Sequence, residues 1–178
     1  SKRIKNETNL SSGATSVSYA AVRYILDNTP NLKFKKILLF GAGKIGRNTC
    51  ENLVKHTSNK HITLINRSED KAKLVAGKFE VLVENIENLN TEISNSDILI
   101  VATSAEKPTV TKDMVPKDKT LTILDLSVPK NVDENLSDFK NVDLLDLDYL
   151  STVTNTTLEN RKKFMHSKKP KYFVDSLD

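Results

Sequence analysis

Three glycines at fixed spacing, Gly41, Gly43 and Gly46, stand in the stretch "KKILLFGAGKIGRNTC", residues 35–50. They follow an apolar run and precede a helical pattern, which is the context a dinucleotide-binding turn requires. Gly41 permits the tight turn, Gly43 lets the backbone approach a pyrophosphate, and Gly46 lets a helix pack on the strand. Ala42, Lys44 and Ile45 complete the turn. The helix that begins there offers N–H groups and partial positive charge to phosphates. A plain strand-to-helix turn with glycines kept for packing is the alternative, and the full strand–turn–helix–strand context argues against it.

Which dinucleotide is read at the end of the second strand, in "LINRSEDK". A carboxylate there would bond the ribose 2′-OH of NAD and repel a 2′-phosphate. This chain has Asn66, followed by Arg67 and Ser68. Asn66 can bond the ribose, and Arg67 can pair with the phosphate and stack near it. Ser68 adds a hydroxyl and a helix N-terminal N–H. The pattern predicts NADP(H) over NAD(H), with Glu69 and Asp70 as the opposing signal. After the fourth strand, Thr103 and Ser104 can contact the ribose or nicotinamide half, or simply cap a turn. Asp125 to Pro129 would lie near the nicotinamide side, and Asp125 reads as a buried acid with backbone partners.

No catalytic group of the chain's own stands out. Cys50, the single cysteine, falls inside the first helix after the turn, where it reads as a small packed hydrophobe. His56, His61 and His166 form no metal-ligand spacing with it or with one another. Tyr19 and Tyr24 read as packing residues, and no Ser-Lys-Tyr arrangement is present.

Elements that would position these residues follow from periodicity. Residues 1–13 are polar and read as an extended lead-in. "SSGATSVSYAAVRYILDN" reads as a helix capped by Ser11 or Ser12, with Val17, Ala21, Tyr24 and Ile25 at helical spacing and Pro30 past its end. Strands then alternate with helices: "KILLFG"; a helix "IGRNTCENLVKHT" with Ile45, Leu53 and Val54 turned inward; "HITLINR"; a helix "SEDKAKLVAGKF" opened by Ser68; "EVLVE"; a short helix "IENLNTEI"; "SDILIVATSA"; "LTILDLSVP"; "VDLLDLDYL". Apolar strands buried on both faces and joined by helices mean an α/β, doubly wound, mostly parallel sheet of the Rossmann type. From about Asp148 a polar helix leaves the domain, and Pro170 should break or end it. The expected division is 1–30 for the lead-in helix, 31–150 for the cofactor domain and 151–178 for the start of a helical segment.

The bulk numbers fit. With 178 residues the chain can bury one sizeable core. Its longest apolar runs are strand-sized, so no membrane partner is expected. A single cysteine and no signal-peptide pattern make cytoplasm the expected compartment. The net charge of +4 suits an anionic ligand or a solvated lysine surface. The basic stretch "RKKFMHSKKPKY" reads as a solvated helix face before it reads as an RNA contact. The absence of an opening Met and the ending "DSLD" suggest a piece of a longer protein.

Four stretches together resemble the NADPH-binding domain of the glutamyl-tRNA reductase family. They are "SSGATSVSYAAV"; "GAGKIG" with "INRS"; "DILIVATSA"; and "LDLSVPKNVD" with "LLDLDYL". The glycine turn alone is unspecific; the lead-in helix and the V-P segment are much more specific. The resemblance implies a larger enzyme of tetrapyrrole biosynthesis. In it, a cysteine of a separate N-terminal domain, in a T-C-N-R motif, takes the glutamyl group from glutamyl-tRNA as a thioester. Hydride from NADPH then gives glutamate-1-semialdehyde. No T-C-N-R motif exists here, and Cys50 does not match that nucleophile. The resemblance further implies a homodimer in the full-length enzyme. This chain would be inactive alone and could be monomeric. Two alternatives are a cofactor domain of the shikimate-dehydrogenase type, which shares the Asn-Arg-Ser/Thr reader, and a nucleotide-sensing regulatory module. The lead-in helix speaks against the first and Asn66 against the second.

Overall fold

A computed structural model describes the backbone of residues 2–153 and the side chains of residues 13–153. Six strands form one parallel sheet: β1 (Ile37–Phe40), β2 (Ile62–Ile65), β3 (Leu82–Val83), β4 (Ile98–Val101), β5 (Leu121–Asp125) and β6 (Val142–Asp146). Their order is β3-β2-β1-β4-β5-β6, the doubly wound arrangement. Central strands bury both faces, so their runs are apolar without alternation. In β1, Ile37 and Leu39 belong to one core and Leu38 and Phe40 to the other.

One face is covered by α1 (Lys2–Asn28), α2 (Lys44–His56) and α3 (Glu69–Phe79). Ala21, Val22 and Ile25 of α1 pack in the same core as Cys50 and Leu53 of α2. The other face is covered by α4 (Leu89–Asn95) and two 3-10 turns, Lys112–Met114 and Glu134–Asp138. The crossovers after β4 and β5 are therefore made of 3-10 turns and loops rather than α-helices.

Several expectations need correction. α1 already runs from Lys2, where an extended lead-in was expected, and Ser11 and Ser12 lie within it rather than capping it. "KRIKNETNL" contains neither Pro nor Gly, so nothing in it stops a helix nucleated further along. Val54 does not turn inward; it is 37% exposed. Gly46, Thr49, Cys50 and Leu53 define the buried stripe of α2, and Val54 sits 100° round from Leu53. Tyr19 is half exposed, touching His56 edge-on, whereas Tyr24 packs against the core as expected. Burial and the Asp143 carboxylate raise the Tyr24 hydroxyl above its usual range, so it keeps its proton at neutral pH. β3 is reduced to two residues, and the short helix after it splits into a 3-10 turn, Ile86–Asn88, and α4. Residues 147–153 are helical, as expected from about Asp148. Residues 154–178, with Pro170, His166 and the basic stretch, lie outside the described residues.

Candidate functional site

The sheet order reverses between β1 and β4, so the chain leaves their carboxyl ends toward opposite faces and a crevice opens beyond them. There the structure has a cleft of about 470 Å³. Four loops line it. Ala42, Gly43, Lys44 and Ile45 come from the turn after β1, and Asn66, Arg67, Ser68 and Lys71 from the start of α3. Ala102, Thr103 and Ser104 follow β4, and Leu126, Ser127 and Val128 follow β5.

Gly41 and Gly46 lie behind the wall and give it its shape. Gly41 has φ of +122°, and a Cβ on it would run into the carbonyl of Ala102 at the end of β4. A Cβ on Gly46 would run into the carbonyl of Gly41. The ends of β4 and β1 and the first turn of α2 are thus stacked at backbone contact, which only glycine allows. At Gly43 a Cβ would meet nothing within 4 Å, so this backbone faces open space. Gly43 is also the N-cap of α2; it supplies no side-chain cap, and the first turn carries no acid. The positive end of a thirteen-residue helix is left directed at the cleft.

Asn66 has a role that its spacing does not reveal. Its Oδ1 accepts the Ala42 N–H at 3.1 Å, and its Nδ2 donates to the Ser68 carbonyl at 3.0 Å. It fixes the glycine turn to the start of α3, with one amide hydrogen and one lone pair left over. Ser68 caps α3 by accepting the Lys71 N–H at 3.4 Å. Lys71 in turn reaches the cleft, which spacing had not singled out; the only signal was its place three residues after a cap. Lys44, Arg67 and Lys71 are the charged residues of the lining, which holds no carboxylate. Among the described residues no ion pair neutralises Arg67 or Lys71. Glu69 points elsewhere, to Lys73 at 3.9 Å.

On the opposite wall the Thr103 N–H donates to Ser127 Oγ at 3.0 Å. The Thr103 hydroxyl caps no turn: among the described residues it is the buried side-chain polar atom without a partner. A buried hydroxyl left unpaired beside a cleft is a group for a ligand to satisfy. Beneath it, Asp125 is buried, with Oδ1 accepting the Ser127 N–H at 3.1 Å and Oδ2 accepting those of Asn131 and Val132 at 2.8 and 3.0 Å. Asn131 donates to the Ala105 carbonyl at 2.7 Å and accepts the Thr109 hydroxyl at 2.7 Å. The acid at the end of β5 therefore knits together the loops after β4 and β5. Val128, 76% exposed, stands on the rim.

Cys50 belongs to the core, not to the cleft. It is fully buried, and burial, with Glu51 adding to it, pushes its thiol up to about 11. The thiolate needed for nucleophilic attack is therefore scarce at neutral pH. The unfolded thiol ionises near pH 9 and the folded one near 11, so between these values the unfolded state binds fewer protons and stability falls as pH rises. Native chain is expected to resist alkylation by iodoacetamide at pH 8, at a rate set by unfolding. Rapid labelling of folded chain would show that the thiol is accessible.

The match to known proteins follows the same outline. Residues 23–153 match the family model described as shikimate / quinate 5-dehydrogenase. A glutamyl-tRNA reductase of Christiangramia forsetii is 59% identical over 165 residues, which is 93% of this chain and 40% of the relative. The chain thus spans about 40% of the length of that curated relative. Among solved structures, glutamyl-tRNA reductase from Methanopyrus kandleri superposes with a TM-score of 0.75 at 26% identity, over 93% of this chain and 43% of that one. The nucleotide binding domain of the Thermoplasma volcanium glutamyl-tRNA reductase gives 0.62 at 25% identity, over 84% of this chain and 96% of that one. Solved shikimate dehydrogenases are more distant and share the fold. The chain belongs to the shikimate / quinate 5-dehydrogenase family, and among the glutamyl-tRNA reductases it resembles the part that the solved nucleotide binding domain represents.

Proposed function

We propose that the cleft holds NADPH and that the chain is the cofactor-bearing part of a glutamyl-tRNA reductase. The observation that carries this is the lining itself: Asn66 where NAD readers place an acid, beside Lys44, Arg67 and Lys71 and no carboxylate. The residues present fit the cofactor in three further respects. Gly43 leaves room for a pyrophosphate, the first turn of α2 offers it N–H groups, and the Thr103 hydroxyl has no partner among the described residues. In this reading Gly41 to Gly46, with Ala42, Lys44 and Ile45 between, form the pyrophosphate turn. Arg67, Ser68 and Lys71 hold the 2′-phosphate while Asn66 keeps the two loops in register. Thr103 and Ser104 orient the nicotinamide half. Residues 31–150 form the cofactor unit, with residues 151–178 beginning a dimerising helical segment.

Bound NADPH supplies a hydride. The chain's own contribution is to orient it and to keep competing groups away; Cys50 is too buried to act as the nucleophile. The whole protein would reduce the glutamyl group of glutamyl-tRNA, held on a cysteine of another domain, to glutamate-1-semialdehyde for tetrapyrrole synthesis. It would act as a cytoplasmic homodimer. Among the described residues no helix is long and apolar enough to cross a membrane. The isolated chain binds cofactor without turnover. An upstream coding sequence with a T-C-N-R motif would separate this reading from a shikimate-dehydrogenase type.

Titration of NADPH and NADH against the chain tests the cofactor. Charge-assisted contacts to the 2′-phosphate, partly screened at this exposed site, should favour NADPH by about tenfold or more. Arg67→Ala should remove most of that preference and leave NADH affinity nearly unchanged. Equal binding of the two by the unaltered chain would overturn the reading.

A further inference from the structure

The end of the sheet opposite the cleft, where the strands begin, carries a second built surface. The loops leading into β1 and β2, residues 29–36 "TPNLKFKK" and 57–61 "TSNKH", hold Lys33, Lys35, Lys36, Lys60 and His61 and no carboxylate. The two strands are paired, so the loops lie side by side. Asn59, only 5% exposed, staples them: its Nδ2 donates to the carbonyls of Leu32 at 2.7 Å and Lys35 at 2.6 Å, and its Oδ1 accepts the His61 N–H at 2.6 Å. The Ile37 N–H closes the corner on the His61 carbonyl at 3.0 Å.

None of these four lysines makes an ion pair among the described residues. Of the neighbouring acids, Asp97 just before β4 is occupied by the Lys36 N–H at 2.8 Å and the Lys119 ammonium at 3.6 Å, while Glu84 and Glu92 share a cleft with Lys36 and His61 and form no ion pair with them among the described residues, so Lys33, Lys35 and Lys60 are the cations farthest from any acid's claim. Between the lysines Phe34 is 71% exposed, with the Lys33 ammonium 5.9 Å from its ring centre. An exposed ring on a stapled loop, surrounded by uncompensated cations, suits a nucleic acid with unpaired bases. The cations track phosphates, and the ring offers a stacking face at low cost in ordering.

We propose that this corner docks the sugar–phosphate backbone of RNA, with Phe34 stacked on an unpaired base. The choice of RNA over DNA rests on the proposed glutamyl-tRNA substrate. The corner sits at the pole away from the cofactor cleft, so it would hold the body of the RNA rather than the reacting end.

Fluorescence anisotropy of the 178-residue chain with a labelled, unacylated glutamate tRNA transcript tests this, with NADPH titration on every variant as a check at the other pole. Lys33→Ala/Lys36→Ala/Lys60→Ala should weaken tRNA binding about tenfold or more at low salt and lower the salt slope by about two. Phe34→Ala should weaken it by about fivefold or more and leave binding of a blunt RNA duplex unchanged. NADPH affinity should stay the same throughout. An unchanged slope in the triple variant overturns the proposal, as does Phe34→Ala without effect on tRNA. Absence of tRNA binding with NADPH binding intact overturns it while leaving the cofactor reading standing; loss of NADPH binding in the unaltered chain, with tRNA binding intact, does the reverse.

Discussion

Gly41→Ala is expected to destabilise the chain by roughly 3–5 kcal/mol, and Gly43→Ala to leave stability unchanged while weakening NADPH binding by about tenfold or more. The two positions are two residues apart and differ in what surrounds them. At Gly41 an alanine would have to keep φ of +122°, a region L side chains rarely adopt, and its Cβ would overlap the Ala102 carbonyl. Relief requires β1 and β4 to separate, and both are buried along their whole length. For a domain of this size a loss of that order lowers the melting midpoint by about 6–20 °C. At Gly43 the backbone has φ of −75° and ψ of −162°, which alanine tolerates, and the added methyl meets only the open cleft. Its cost falls on the ligand, because the methyl occupies the space through which a pyrophosphate would reach the N–H groups of α2. Thermal melts and NADPH titration on both variants separate fold from site. If Gly43→Ala melted early, or bound NADPH as before, the placement of the pyrophosphate over that residue would be wrong.

The same contrast explains what the sequence made legible. The glycine turn could be read because its requirement is local: three backbone positions at fixed spacing, each with little room for a side chain or facing a ligand. The strands could be read because Ile37–Phe40 and Ile98–Val101 are buried on both faces, which forces unbroken apolar runs. What escaped depends on partners distant in sequence. Asn66 reads as a ribose ligand by its type, and its further role, accepting the N–H of Ala42 twenty-four residues earlier, has no signal in the sequence. Lys71 carries no motif that would mark it; the direction in which α3 leaves its Ser68 cap brings it to the cleft. Val54 is apolar yet points outward, because the buried stripe of α2 is set by contact with α1 and the sheet rather than by residue type. The start of α1 was missed for the opposite reason, since a polar stretch without a breaker prefers neither state strongly until something downstream nucleates it.

Asp125 is where fold and site meet, and its removal gives the second large effect. Asp125→Ala leaves the N–H groups of Ser127, Asn131 and Val132 without their acceptor in a buried place. Each orphaned donor costs on the order of 1–3 kcal/mol, so a loss of about 3–5 kcal/mol is expected after partial relaxation. The damage should also be directional. Ser127 holds the Thr103 N–H, and Asn131 holds the Ala105 carbonyl and the Thr109 hydroxyl, so the loops after β4 and β5 drift once Asp125 is gone. Those loops form the Thr103–Ser104 and Ser127–Val128 side of the cleft. The glycine turn and the Arg67–Lys71 side are held by Asn66 and Ser68 instead, with no hydrogen bond to the Asp125 or Asn131 side chains among the described residues. NADPH affinity, measured at a temperature where the variant is folded, should therefore fall by about tenfold. Binding of adenosine 2′,5′-bisphosphate, which lacks the nicotinamide half, should change by less than about twofold, as expected for sites without shared partners. Asp125→Asn keeps one acceptor oxygen and should fall between the two. An equal loss of both ligands in the folded variant would mean that the acid supports the whole cleft, and that its division into two independently held walls is mistaken.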